Sequence, residues 1–334
     1  MNENTNKKML IIGIATLLLI VIIAILIAVL NAQNEQKVIK FSMKNEVTNS
    51  INNQEPEEPK NEVKNETEKP KNKIDGEITY IETSDGGKIP VPPTFKYVEG
   101  DSQTGAIIQD KNKNQFVWVP IKENNLYQRQ IFVNNGDGIT VEDIEKLNIN
   151  DINSYNQEFN DSVLNYEGFY IARFEAGKES DVEVPVSKAG VLPWTQVRWE
   201  KARELSIGMY DENDYFQTDL INSYAWDSTC NWIRNTGKNI DDSTSYGNYQ
   251  NSSDGLNRVT ETGSNERWKI NNIYDMAGNA WEYTTEEYGE HEKYHIGRGG
   301  GYWNYGNLYP ISTRGTSEDN SDLSIGFRVV MYLK

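Results

Sequence analysis

From Met9 to Leu30 the chain runs for 22 residues without a charged side chain. At helical rise this stretch spans about 33 Å, enough to cross a hydrocarbon core of about 30 Å. Whatever folds in water must therefore fold after it. The run ends in "AVLNAQ", where Leu30 stands in place of the small residue that signal cleavage requires, so it reads as an uncleaved anchor. Lys7 and Lys8 precede it and Lys37, Lys40 and Lys44 follow it, so flanking charge does not set its orientation. A short tail, residues 1–8, and a long C-terminal region fit an N-in, C-out topology, with a single-pass anchor in the cell membrane and the C-terminal domain extracellular.

Residues 31–74 include "NNQEPEEPKNEVKNETEKPKNK", carry eight acids against eight lysines, and have no aromatic residue after Phe41. Such a stretch cannot bury enough apolar surface to offset its ordering entropy, and is expected to be a disordered tether spanning on the order of 40 Å. All 8 Trp and 19 Tyr lie beyond residue 74, which places the globular part at 75–334. That part holds 41 acids and 23 bases within a chain of net charge -17. It repels phosphate backbones, so no nucleic-acid partner is expected, and cations are its natural partners.

The chain has 1 Cys, Cys230, which rules out an intrachain disulfide framework and a cysteine-based zinc cluster. Its setting, "INSYAWDSTCNWIRNTG", predicts an amphipathic helix with Ile221, Ala225, Thr229 and Trp232 on one stripe and Gly237 as the stop. Strands are expected at "QFVWVPI" (115–121) and "GFYIARFEAG" (168–177). Helices are expected at "TVEDIEKLNI" (140–149) and "TQVRWEKARELS" (195–206), and 239–257 reads as loop. The fold class is α+β with much irregular loop.

Three C-terminal segments come in a telling order: "NIYDMAGNAWEYTTE" (272–286), "GRGGGYWNYG" (297–306) and "SIGFRVVMYLK" (324–334). Gly299, Gly300 and Gly301 permit positive φ or close backbone approach, Trp281 is a large apolar plug, and Arg298 and Arg328 call for buried acids or carbonyls. With the earlier "GFYIARFEAG" and "LPWTQVRWEKA", these segments resemble the formylglycine-generating enzyme and sulfatase-modifying factor family. The resemblance implies an elaborated C-type-lectin-like domain over 165–334, preceded by an N-terminal extension at 75–164. It also implies a structural calcium ion at the Gly-Asn-x-Trp-Glu turn, carried here onto Gly278, Asn279, Ala280 and Glu282. On the residues alone, Asn279 capping a turn and Glu282 pairing with an arginine remains the alternative.

The family's enzymes resembled here bind copper through two cysteines between Arg-Gly-Gly and Gly-Phe-Arg. In this chain that segment is "GYWNYGNLYPISTRGTSEDNSDLSI", which has no cysteine, so no copper is expected. A related branch holds iron with a histidine cluster, and 2 His are too few, so no iron is expected. Those two residues form His291-Glu292-Lys293-Tyr294-His295, a match to the H-E-x-x-H zinc-peptidase pattern. The pattern works on a helix, and Gly289 and Gly297 bracket too few residues for one.

In place of the catalytic residues stand Tyr302, Trp303, Tyr305, Asn307, Tyr309, Ser312 and Arg314, types that dominate recognition surfaces. The expectation is a membrane-anchored, non-catalytic module that binds a glycan or protein ligand through this aromatic-rich segment. Alternatives are an oxidoreductase of the formylglycine-generating type with an atypical site and, more weakly, a zinc peptidase.

Overall fold

The computed structural model describes residues 76–122, 126–132, 150–151, 157–179, 181–287, 294–318 and 323–334. The chain divides into two compact units, Met1–Glu68 and Lys69–Lys334, and every described residue belongs to the second. The expected tail, anchor and linker (1–74) and the expected helix at 140–149 lie outside the described residues. Among the described residues no helix is long and apolar enough to cross a membrane.

A hairpin of β1 (Thr79–Glu82) and β2 (Lys88–Val91) opens the described chain. An antiparallel meander follows, made of β3 (Phe95–Glu99), β4 (Ile107–Asp110) and β5 (Gln115–Pro120). After β6 (Asn150–Asp151) come α1 (Gln157–Tyr166), β7 (Gly168–Ala172), α2 (Trp199–Ile207), β8 (Phe216–Leu220) and α3 (Ser223–Asn235). The C-terminal third supplies β9 (Lys269–Ile270), β10 (Ile273–Tyr274), β11 (Trp281–Glu287), β12 (Tyr294–Arg298), β13 (Arg314–Glu318), β14 (Ile325–Phe327) and β15 (Val329–Leu333).

The larger sheet has the order β3-β4-β5-β7-β15-β8, so strands before residue 121 share a sheet with the C-terminal strand. Its central strands are buried on both faces, which is why they read as apolar runs rather than alternating ones. Strand alternation divides their side chains between two cores. Val117, Val119, Phe169, Ile171, Val330 and Tyr332 meet α3 through Ala225, Trp226, Cys230 and Ile233. Phe116, Trp118, Tyr170, Ala172, Met331 and Leu333 face α2 through Trp199, Ala202 and Leu205. The second sheet has the order β13-β12-β11-β14, with β6 also paired to β11.

Helix α3 forms where its apolar stripe predicts. Asn222 caps it, accepting a hydrogen bond from the Ala225 amide at 2.8 Å, and Gly237 follows its end with φ 83°. Ile221, Ala225, Thr229 and Trp232 are all buried.

Arg328 is the residue at which the chain leaves β14 for β15, and so passes from one sheet to the other. It is 0% exposed. Its guanidinium forks onto Glu282 of β11, with Nε 2.8 Å from Oε2 and Nη2 2.5 Å from Oε1. The remaining donors reach the carbonyls of Ala172 in β7 and Tyr274 in β10, both at 3.0 Å. Arg328→Met would leave the Glu282 carboxylate buried without its cation, a loss of about 3–5 kcal/mol. Chemical denaturation of the two proteins, compared at neutral pH, measures it.

Candidate functional site

Gly299 and Gly300 leave β12 with φ 86° and 73°, and a Cβ on Gly300 would lie 2.6 Å from the Tyr309 carbonyl oxygen. These glycines let the 301–309 segment fold back as turns rather than continue as a strand. Asn304 holds it by accepting from the Gly301 amide and from Trp281 Nε1, each at 2.9 Å, and the Tyr302 amide donates to the Asn279 carbonyl at 2.9 Å. Trp303 and Tyr305 are left 40% and 45% exposed, with Tyr302 packed edge-on to Trp303 at 5.0 Å. Tyr309 is half-buried and lies edge-on to Trp281 at 6.0 Å.

Beside this turn the loop at 239–257 supplies polar groups. Asn251 donates to exposed Asn307 Oδ1 at 2.9 Å and accepts from the Gly306 amide at 2.9 Å, while the Ser243 amide donates to the Gly306 carbonyl. Asn251 also lines a cleft of about 390 Å³ with Asn239, Asp242, Thr244, Ser253 and Arg267. The Asn251 contacts with Asn307 and the Gly306 amide tie the turn that carries the two exposed rings to the loop that lines this cleft.

Two of the expected ligand-binding residues are not on that face. Ser312 is 2% exposed and donates from Oγ to the Ile240 carbonyl at 3.0 Å. Arg314, also 2% exposed, donates to both Glu286 oxygens and to Asp227. Both are corrected to structural roles, because the segment turns inward at Pro310 before β13 begins. Arg298 completes the ion network, donating to Asp227 Oδ1 at 2.7 Å with its Nη1 3.6 Å from Glu286 Oε2. Arg129 closes it from the 126–132 strap, 2.9 Å from Glu286 Oε1. Burial works against an ionised Glu286, but Arg314, Arg129 and Arg298 outweigh it and hold its pKa below the ordinary value.

The turn expected to hold calcium is built differently from that expectation. Glu282 gives both oxygens to Arg328, and Asn279 Oδ1 accepts from Asn248 Nδ2 at 3.1 Å and from the Thr260 amide at 3.0 Å. Neither side chain is placed to ligate a cation, since an arginine and N–H donors already occupy their oxygens. Gly278 (φ 75°) and Ala280 remain main-chain positions of the same turn, and the Ala280 amide donates to Glu175 at 3.2 Å. Asp275, three residues before Gly278, is fully buried, and its Oδ2 accepts from Thr262 Oγ1 and the Gly263 amide. Its Oδ1 has no hydrogen-bond partner among the described residues. Burial pushes the Asp275 carboxyl up to about 6 despite those two bonds, and burial with Asp275 and Glu282 nearby pushes Glu175 well up. The unpartnered Oδ1 is a hard oxygen of the type that calcium takes. Among the described residues no three His, Cys, Asp or Glu side chains come together to hold a metal.

Cys230 lies on α3 at 0% exposure, its Sγ 3.8 Å from the Ile311 carbonyl. Burial raises the thiol to about 12, so it is not the thiolate that copper ligation or sulfur redox chemistry requires. The zinc-peptidase alternative is overturned: His295 sits in β12, is 2% exposed, and stacks on Trp199 at 4.1 Å. A strand cannot put it on one helical face with His291, which lies outside the described residues.

Residues 143–333 match the sulfatase-modifying factor enzyme 1-like domain. The chain belongs to that family. Among solved structures, this family member is similar to PvdO from Pseudomonas aeruginosa, at 13% identity over 70% of this chain and 100% of PvdO, with a TM-score of 0.40. It is similar to CarF at 15% identity over 50% of this chain and 87% of CarF, with a TM-score of 0.36. It is also similar to Treponema denticola variable protein 1, at 13% identity over 71% of this chain and 99% of that one, with a TM-score of 0.35. No curated protein matches the sequence.

Sequence reasoning missed Asp227, Glu286 and Arg129, which carry no motif, and Asp275, which stood in plain view in "YDMAGNAWE". It also read 239–257 as loop without assigning it a role at the site. Two outcomes follow from these contacts. Glu286→Gln is expected to cost about 3–5 kcal/mol at neutral pH. Because the native pKa of Glu286 is lowered, that advantage of the unsubstituted protein is present above the unfolded pKa and is lost as pH falls through the native one. Denaturation curves across pH measure both. Cys230 is expected to stay silent to a thiol-reactive dye in the folded protein and to react at once in denaturant.

Proposed function

We propose that this sulfatase-modifying-factor-like domain is a membrane-anchored, extracellular binding module on a C-type-lectin-like scaffold, and that its ligand is a glycan. The observation that carries the reading is the exposure of Trp303 and Tyr305 on a turn whose Gly306 and Asn307 are hydrogen-bonded to Asn251, a residue that also lines the polar cleft. Sugars present an apolar face of C–H groups and a rim of hydroxyls. An aromatic ring covers the first, while amides, carboxylates and guanidinium groups such as Asn239, Asp242 and Arg267 bond the second. Lone Cys230, buried and protonated, supports a binding role over copper-dependent oxidation. The exported location rests on the apolar run at 9–30.

Calcium belongs to the same reading. Asp275 Oδ1, three residues before Gly278, would supply the carboxylate that holds the ion and so stiffen the turn whose Asn279 carbonyl receives the Tyr302 amide. Hard oxygen ligands and one carboxylate suit the weak, millimolar-range sites of extracellular modules.

Glycan-array screening of the detergent-solubilised chain should return hits that Trp303→Ala and Tyr305→Ala each weaken by tenfold or more, about 1.4 kcal/mol, without changing stability. A blank array, or hits indifferent to both substitutions, would overturn the reading. Calcium is expected to raise the melting temperature, EDTA to reverse this, and Asp275→Asn to abolish the response.

A further inference from the structure

Away from the aromatic turn, a concavity opens between α1, α2 and β8, with a volume of about 970 Å³. Its lining carries six carboxylates: Glu158 and Asp161 from α1, Asp211, Glu212 and Asp214 from the 208–215 loop, and Asp219 from β8. Against them stand two cations, Arg203 and Lys334. Each is already engaged within the wall, since Arg203 Nε lies 3.6 Å from Asp219 Oδ1 and Lys334 Nζ donates to the Asn213 carbonyl at 2.9 Å. The floor is partly apolar, with Phe216, Leu333 and half-exposed Ile207.

A second observation is independent of charge. Ser162 is 5% exposed, lines this cleft from α1, and its Oγ has no hydrogen-bond partner among the described residues. A buried hydroxyl left without a partner costs about 1–3 kcal/mol, and an incoming donor would relieve that cost.

We infer that this cleft is a docking site for a basic peptide segment of another protein, its lysine or arginine side chains entering among the six carboxylates. Three features select this occupant. The excess of acids over bases complements ammonium and guanidinium groups. The volume suits a short run of residues rather than a single side chain. The apolar floor matches the methylene stems on which lysine and arginine carry their charge. The site uses none of the residues of the aromatic turn, so it stands or falls separately from glycan binding.

The test is a titration of the full-length, detergent-solubilised protein with pentalysine at low ionic strength, repeated with spermine. Binding of pentalysine is expected, falling with added salt. Asp211→Asn/Glu212→Gln/Asp214→Asn is expected to weaken it by about tenfold, as is Glu158→Gln/Asp161→Asn on the opposite wall. Neutralising three exposed acids elsewhere, in Glu82→Gln/Glu99→Gln/Glu261→Gln, controls for the protein's overall negative charge and is expected to change affinity less than twofold. The two walls guard against misfolding of either variant, and melting curves identify any that fails to fold. Equal losses in the control and the cleft variants, or no pentalysine binding at all, would overturn the site. Spermine binding as tightly as pentalysine would overturn the peptide as its occupant.

Discussion

Arg328 and Glu282 make the contact on which the rest of the architecture depends. A guanidinium and a carboxylate buried together in a low-dielectric interior hold only while both are present and every remaining donor is satisfied. Here the arginine keeps its carboxylate and makes four hydrogen bonds, reaching β7, β10 and β11 at once from the point where the chain crosses between the sheets. The terminal Gly-Phe-Arg segment is therefore a joint between layers, and β14 and β15 can belong to different sheets with one residue between them. Around this joint Glu175 and Asp275 add carboxyl groups that a single guanidinium does not balance, which together with their burial is the physical reason a proton is favoured there.

A second buried network does for α3 what Arg328 does for the sheets. Asp227 on the helix and Glu286 on β11 are clasped by Arg298, Arg314 and Arg129, drawn from two strands and the 126–132 strap. Together the two networks fix the frame from which 301–309 projects. The projecting turn itself is held by main-chain bonds and by Asn304, so its aromatic side chains are largely released from packing duties.

What a reader of the sequence could see was governed by periodicity and by local chemistry. The apolar stripe and glycine stop of α3, the apolar strands β5 and β7, the glycines after Arg298 and the family-specific motifs all express rules acting over a few residues. The need of Arg298 and Arg328 for buried partners was equally legible, because a guanidinium in an apolar setting permits little else. The identity of those partners was not. Asp227, Glu286 and Arg129 come from positions 71, 12 and 169 residues away from Arg298, and no local pattern marks them. Ser312 and Arg314 were misplaced for the same reason: their residue types suit a surface, and only the inward course of the chain after Pro310 buries them.

The sequence by itself determined the order of the chain, its long apolar run, its acidic balance, its family and the absence of a cysteine pair, since each of these is a property of composition or of short-range spacing. Tertiary structure alone decided which oxygens of the Gly-Asn-Ala-Trp-Glu turn are spoken for, which aromatic rings face water, and which acids gather at one cleft. Those outcomes depend on burial and on contacts between residues far apart in the chain, and both exist only once the two sheets and α3 have closed around their arginines.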